Sequence, residues 1–172
     1  MEIKNFLART LTARDDCSLH LKTTSSNGSA VESYLIQHLL VVLCSDVENA
    51  IINIVQSRIG KTNDVQVISF SSNLSKKLIR SIKKPDLADL LGYFDNSLKT
   101  IFNEKVNEKA ATLFGNAVRD RHLVAHSTGS QMTLPDFNGA IDATIEILTA
   151  FQETLNEAFA NQVGNTSNVV TN

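Results

Sequence analysis

Residues 30–59 read AVESYLIQHLLVVLCSDVENAIINIVQSRI and carry the strongest structural pattern in the chain. Apolar side chains recur there every three or four positions, which is the spacing of one face of an α-helix. The stripe consists of Leu35, Leu39, Val42, Leu43, Val47, Ile51, Ile54 and Val55. Ser29 is a candidate N-cap, and Gly60 ends the pattern. Because the first half is apolar nearly all round, we expect this helix to be the most buried one.

The segments on either side of this helix have weaker patterns. An amphipathic helix is predicted over about 2–21, followed by a polar loop at 23–29. A loop is predicted at 61–72, with an alternating stretch at 65–70 that could be extended or could dock on the core. A short basic helix is predicted over 73–83. Its inward side chains are expected to be Leu74, Leu78, Ile79 and Ile82.

The second half of the chain is also predicted to be helical. Pro85 begins a short helix that runs through Leu91 and stops at Gly92. A long helical pattern covers 96–125, with a break near 103–107, and Pro135 opens a final long helix. These elements predict four main helices and several short ones.

Composition agrees with a helical domain. The chain has 172 residues, 42% hydrophobic and 20% charged, so one folded domain is expected and a disordered chain is excluded. Two prolines and seven glycines are few for a β-sandwich or barrel, which needs many turns. The predicted fold class is all-α: a bundle of four main helices with short helical insertions. We expect a single domain at 1–162 and a flexible tail at 163–172.

The net charge and the spacing of the cysteines argue against several classes of function. A net charge of −2 argues against a broad basic face that coats nucleic acid. Cys17 and Cys44 lack metal-ligand or disulfide spacing, so we expect idle thiols in a reducing compartment. There is no signal-peptide pattern, and the longest apolar run, 39–44, is far shorter than the roughly 20 residues of a membrane span. We expect a cytoplasmic protein with no metal and no cofactor, away from membranes.

The most informative segment for function is 118–127, at the end of the long helical pattern. Arg121 falls on the apolar side of that helix, where a Leu or Ala is expected. A buried guanidinium is costly unless it has a carboxylate, a ligand or another subunit beside it. His122 and His126 are four residues apart and share a helix face with Arg119. One turn therefore gathers two imidazoles and at least one fixed cation.

These residue types suit phosphodiester chemistry without a metal. His126 lies where the helix is predicted to end, and the helix dipole there favours a protonated imidazole, whose ordinary pKa is about 6.5. Arg121 keeps its charge and offers a fork of donors that matches phosphate oxygens. RNA fits better than DNA, because its own 2′-hydroxyl can act as the nucleophile.

The sequence from Arg121 to His126, RHLVAH, resembles the signature of the HEPN superfamily: Arg, then Asn, Asp or His, then three residues and His. His122 stands where Asn is commoner. The acidic-containing helix around 40–48 is similar to an early helix of prokaryotic HEPN proteins. The resemblance covers roughly 30–160 and is strongest to stand-alone members from toxin–antitoxin and phage-defence loci.

This resemblance implies a metal-independent endoribonuclease that works as a homodimer, with two motifs facing each other in one cleft and 2′,3′-cyclic phosphate as the product end. Arg121 would bind the scissile phosphate, His126 would act as general acid or base, and His122 would orient or assist. Asp46 or Glu48 would hold Arg121 or His126 in place. The partners implied are an RNA substrate and an antitoxin or regulatory protein.

Plainer interpretations stay open beside this one. Arg121 could be a structural arginine paired with Asp46 or Glu48, and His126 could simply cap its helix. Arg119 and Asp120 are expected to form a solvated pair. The chain could also be a non-catalytic HEPN-type module that binds RNA, a nucleotide or a protein, or a purely structural helical protein.

A group of basic residues precedes the motif in sequence. It is either the solvated face of a short helix or a surface that guides RNA. The group consists of Lys76, Lys77, Arg80, Lys83 and Lys84.

Overall fold

The computed structural model describes residues 2–62, 64–80, 82–125 and 131–167, and these residues form helices and connections without a strand. The all-α prediction is confirmed. The helices are α1 (Ile3–Phe6), α2 (Ala8–Thr23), α3 (Ala30–Ile59), α4 (Val65–Leu78), α5 (Lys84–Gly92), α6 (Asn96–Lys105), α7 (Glu108–Ala125) and α8 (Leu134–Ser167). Among them α2, α3, α7 and α8 are the longest, as the pattern of four main helices predicted.

Helix α3 is the central helix, as predicted. The Ser29 Oγ accepts a hydrogen bond from the Val31 backbone N–H, and Gly60 is the C-cap residue. Helices α1, α2, α4, α7 and α8 all pack against α3. Its length and apolar composition would allow it to cross a membrane. However, more than half of its most apolar window is buried inside the bundle, which is the pattern of a core helix.

Helices α7 and α8 form the most extensive helix pair and run antiparallel. The Cα of Gly139 near the start of α8 faces the Leu113 side chain in the middle of α7. Farther along α8, Glu146 accepts a hydrogen bond from the Asn107 backbone N–H, just before α7 begins. Because α7 and α8 also both contact α3, these three helices enclose most of the core.

The segment between α3 and α5 differs from the prediction. Residues 65–70 are helical, because α4 begins at Val65 and runs to Leu78. The predicted basic helix over 73–83 is therefore wrong: 73–78 belongs to α4, and the segment from Ile79 to Lys83 connects α4 to α5. Ile79 and Ile82 are buried as expected. By contrast, Leu74 and Leu78 are exposed, because their face of α4 has little packed on it.

Three other predicted segments can be compared with the helix bounds of the structure. The amphipathic segment at 2–21 is two helices, α1 and α2, that meet at the buried Leu7. The break predicted near 103–107 is confirmed, since α6 ends at Lys105 and α7 begins at Glu108. Helix α8 continues to Ser167, so 163–167 of the predicted tail is helical, and 168–172 lies outside the described residues.

Candidate functional site

The buried face of α7 leads directly to Arg121. Ala110, Phe114, Ala117 and Val118 on this face are buried. Arg121 follows Ala117 by four positions and Val118 by three, so it continues the same face one turn later. Its side chain is half-buried. The prediction that a guanidinium takes the place of an apolar side chain on this face is consistent with its observed burial.

Two residues of α3 lie across from this end of α7. Cys44 and Glu48 on α3 line the same narrow seam as Ala117 and Val118 on α7, and the void left in it is only about 10 Å³. Burial raises the pKa of the Cys44 thiol to about 11, the Arg121 charge lowers it, and the Glu48 charge raises it. Cys44 is therefore a neutral thiol at physiological pH. Arg121 and Glu48 therefore both lie near the Cys44 thiol.

Asp46 does not hold Arg121, so that alternative is wrong. Its Oδ1 accepts a hydrogen bond from the Arg9 Nε at 3.0 Å. Its Oδ2 accepts two hydrogen bonds from Thr10, one from the backbone N–H at 3.0 Å and one from the hydroxyl at 2.6 Å. Asp46 is buried and joins α3 to α2. Of the two carboxylates proposed to support Arg121, only Glu48 lies on the α7 side of α3.

Arg119 and Asp120 form the ion pair that was predicted, with Arg119 Nε and Asp120 Oδ1 3.5 Å apart. The pair is not uniformly solvated, however. The Arg119 side chain is 62% exposed, whereas that of Asp120 is 13% exposed. Asp120 is thus a second carboxylate near this end of α7, in addition to Glu48 on α3. Its burial was not predicted, because spacing alone does not rank alternate positions of one helix by burial.

Of the two histidines of the motif, the structure describes His122 but not His126. His122 is on the last turn of α7, and its side chain is half-buried. His126 follows the end of α7 in sequence and lies outside the described residues, so its proposed role stays a prediction. Within the described part of the chain, the site therefore consists of Arg121 and His122, with Glu48 on α3 and the Arg119–Asp120 pair beside them.

The helix that follows the motif is anchored at its first turn. The buried Glu32 of α3 accepts hydrogen bonds from the backbone N–H groups of Gly28, at 2.5 Å, and Leu134, at 3.0 Å. These two bonds lower the pKa of Glu32. The Asp136 carboxylate accepts a hydrogen bond from the Thr133 backbone N–H at 3.1 Å, and the Thr133 hydroxyl oxygen accepts one from the Asp136 backbone N–H at 3.4 Å, which caps the start of α8. The chain on both sides of 126–130 is thus held by the bundle.

The basic residues predicted to share one helix face do not share one. Lys76 and Lys77 lie in the last turn of α4, Arg80 is in the connection, and Lys83 is the N-cap residue of α5. Lys84 begins α5, donates a hydrogen bond to Asn103, and lies over the Phe102 ring. The charges are distributed along a turn between two helices, so the interpretation as a single solvated helix face is wrong.

An apolar groove lies between α4 and the end of α5 and was not predicted. Its signal in the sequence is the helical spacing of Val67, Phe70, Leu74 and Leu78. The six-residue alternation at 65–70, which is typical of a strand, obscures that spacing.

The chemistry of the described site is that of a fixed cation beside an imidazole. Three or more His, Cys, Asp or Glu side chains do not converge anywhere among the described residues in a way that could hold a metal ion. Arg121 can bind an anionic oxygen, and His122 can donate or accept a proton. The chain matches no family model, no curated protein and no solved structure.

Proposed function

We propose that the chain is a metal-independent endoribonuclease of the HEPN type, acting as a toxin or defence effector. The observation that carries the proposal is the half-buried Arg121, which continues the buried face of α7 that packs against Cys44 and Glu48 and is followed by His122. A guanidinium in this position needs an anionic partner. A scissile phosphate can be such a partner in addition to Glu48.

The proposed reaction is an internal transfer at phosphorus. The 2′-hydroxyl loses its proton to a base and attacks the adjacent phosphorus, and the bond to the 5′-oxygen breaks as a proton reaches that oxygen. Arg121 would stabilise the charge that develops on the non-bridging oxygens. His126 would act as the acid or base, and His122 would orient it or assist. The products are a 2′,3′-cyclic phosphate and a free 5′-hydroxyl.

The proposal includes a homodimer with one composite cleft. An exposed apolar row on α3 supports it, in which Tyr34 and Val41 are both largely in contact with solvent. These residues are seven apart, as are Val41 and Glu48, so all three lie along one side of α3. A second copy packed on this row would lie next to Glu48 and Arg121. Its own motif could then complete the cleft.

The experiment is cleavage of total RNA by the purified protein in EDTA, with the product ends mapped. We expect cleavage with cyclic phosphate ends for the wild type. We expect a loss of about a hundredfold or more in rate for Arg121→Ala and for His126→Ala, because each removes charge stabilisation or proton transfer.

The matched control is Lys109→Ala, which removes an exposed cation from the other end of α7, outside the site, and should leave the cleavage rate within about twofold. Circular dichroism and light scattering on each sample check that helicity and oligomeric state are unchanged. Cleavage that persists in folded Arg121→Ala and His126→Ala proteins would contradict the proposal.

One observation favours a second candidate, a non-catalytic RNA-binding module. The charges of Arg121 and Glu48 both act on the Cys44 thiol, so a carboxylate that can balance the Arg121 charge is present in this region without any substrate. A binder would yield no cleaved ends in the same experiment, while Arg121→Ala would still weaken RNA binding.

A further inference from the structure

Helix α4 has an apolar face that the rest of the described chain leaves largely uncovered. Phe70 is 67% exposed and Leu78 is 52% exposed, and Val67 and Leu74 on the same face are also exposed. Helix α4 packs on α3 along its other side, where Gln56 of α3 donates a hydrogen bond to Ser72. A row of apolar side chains at helical spacing that faces solvent marks an interaction site more often than a defect.

This face borders a groove with a volume of about 410 Å³, here called the α4–α5 groove. Its walls are α4, the end of α3 and the end of α5, and its lining is mainly apolar. The residues that give it this character are Val55, Ile59, Leu74, Leu78, Leu90 and Phe94. A concave, aliphatic groove beside an amphipathic helix has the shape that accepts side chains from one face of another helix.

The surroundings of the groove are basic, although the whole chain is slightly acidic. Between 58 and 95 there are seven Lys and Arg but only four Asp, against a net charge of −2 for the chain. Arg58 lines the groove. Lys76, Lys77 and Arg80 are exposed around its end at Leu78.

The four carboxylates of this region are already used within the chain. Asp64 caps α4, Asp95 caps α6, and Asp86 accepts a hydrogen bond from the Lys83 backbone N–H. Asp89 pairs with Lys99 at 2.5 Å. Asp86 and Asp89 also lie beside Leu78. Because Lys99 pairs with Asp89, the exposed Lys76, Lys77 and Arg80 outnumber the remaining carboxylate near this end of the groove.

We propose that the α4–α5 groove binds an acidic amphipathic helix from a partner protein. Leucine-type side chains on one face of that helix would fill the groove, and Asp or Glu on its flanks would meet Lys77 and Arg80. The observations behind this site are separate from Arg121 and His122, so the inference does not depend on the nuclease proposal.

Other occupants fit the groove less well. A second copy of this chain would bring its own Lys76, Lys77 and Arg80 towards the same cations, which is repulsive in a symmetric dimer. Single-stranded RNA binds through stacked bases and phosphates, whereas the described lining has six aliphatic side chains against two aromatic ones, Tyr93 and Phe94. A membrane surface needs a protruding apolar face, and this one is concave.

The test uses fluorescence anisotropy with the full chain and two labelled synthetic peptides of about 20 residues each. Both carry Leu at positions i, i+4, i+7 and i+11; one carries Glu on the flanks of that row and the other carries Lys. We expect the Glu peptide to bind about tenfold or more tightly than the Lys peptide. A double change, Lys77→Glu with Arg80→Glu, should reverse that preference.

The groove itself is tested by Leu74→Asp, which should weaken binding of the Glu peptide by about tenfold or more. The matched control is Val65→Asp, which places the same charge on the same helix at a residue that is 76% exposed and lies outside the groove. It should leave the affinity unchanged. If Leu74→Asp lowers the helicity, Val67→Gln in the groove wall replaces it.

The proposal is overturned if the Lys peptide binds as tightly as the Glu peptide, or if folded groove variants bind the Glu peptide like the wild type. It is equally overturned if a 20-nucleotide single-stranded RNA or vesicles of phosphatidylcholine and phosphatidylserine bind in a way that Leu74→Asp abolishes while the Glu peptide does not.

Discussion

At the scale of single residues, Asp46 is a buried carboxylate of α3 with several hydrogen-bond partners on α2. Both of its oxygens accept hydrogen bonds from α2, through Arg9 and through the backbone and hydroxyl of Thr10. A buried carboxylate without such partners would be costly. Asp46 therefore fixes the position of α2 on the central helix.

We expect Asp46→Ala to lower the free energy of unfolding by about 3 kcal/mol, because it leaves the buried groups of Thr10 without an acceptor. Arg9→Ala should cost about 1 kcal/mol or less, since the Arg9 side chain is 60% exposed and solvent screens its charge. Urea unfolding followed by circular dichroism measures both. Equal losses in the two variants would mean that the salt bridge, rather than Thr10, accounts for the effect.

Asp46 also shows which contacts near the site cannot be predicted from the sequence. The positions of Arg121 and His122 could be predicted, because both follow from the periodicity of their own helix. The partner of Asp46 could not, because Arg9 is 37 residues away and only the packing of α2 on α3 brings it near. Glu48 and Asp46 are two positions apart, and they face different neighbours for that reason.

At the scale of elements, the apolar periodicity predicts the bounds of α3 correctly but not those of α4. Helix α3 has a long apolar stripe and clear end signals, and its predicted bounds at 30–59 agree with the structure. The six residues at 65–70 alternate like a strand. A helix forms there because Asp64 caps it and the longer row from Val67 to Leu78 has helical spacing.

Helix α4 should depend strongly on its cap, because one face has few contacts. The Asp64 Oδ1 accepts hydrogen bonds from the backbone N–H groups of Gln66 and Val67, at 2.9 and 3.1 Å. We expect Asp64→Ala to destabilise α4 by about 1 kcal/mol and Asp64→Asn to cost a few tenths, since Asn can also cap. Faster amide hydrogen exchange confined to 65–78 in the Ala variant measures this. Identical exchange in the Ala and Asn variants would argue against a capping role.

At the scale of the whole molecule, Glu32 connects two distant parts of the chain. It accepts one hydrogen bond from Gly28 before α3 and one from Leu134, which is 102 residues farther along. The start of the last helix is thereby fixed to the start of the central one. The overall arrangement of helices could be predicted in number and length, but this contact could not, since it depends on how the bundle closes.

The Glu32 contacts predict how stability varies with pH. The backbone bonds hold the pKa of Glu32 below its ordinary value of 4.5. The stabilisation is therefore complete above that value and is lost as the pH falls through the lower pKa of the folded state. We expect Glu32→Gln to unfold about 1–2 kcal/mol more easily at neutral pH, because one of the two N–H groups loses its acceptor.

The difference between Glu32→Gln and the wild type should begin to shrink as the pH drops below about 4.5, where the carboxyl of the unfolded wild type is protonated, and should vanish below the lower pKa of the folded state. Thermal unfolding from pH 7 to pH 3 measures this. The variant Glu104→Gln, at an exposed position of α6, serves as the control and should follow the wild-type curve. A constant difference at every pH would contradict the assignment.

The anchoring of Leu134 also bears on how this protein could vary among relatives. Helix α8 takes its register from α3 through Glu32 and from its own cap at Thr133 and Asp136. We expect insertions or deletions between Ala125 and Gln131 to leave α8 in place, because these contacts are made by residues after 130. The number of residues that follow the motif can therefore change while the packing of the helices is kept. Such a change would alter the surface presented to a substrate.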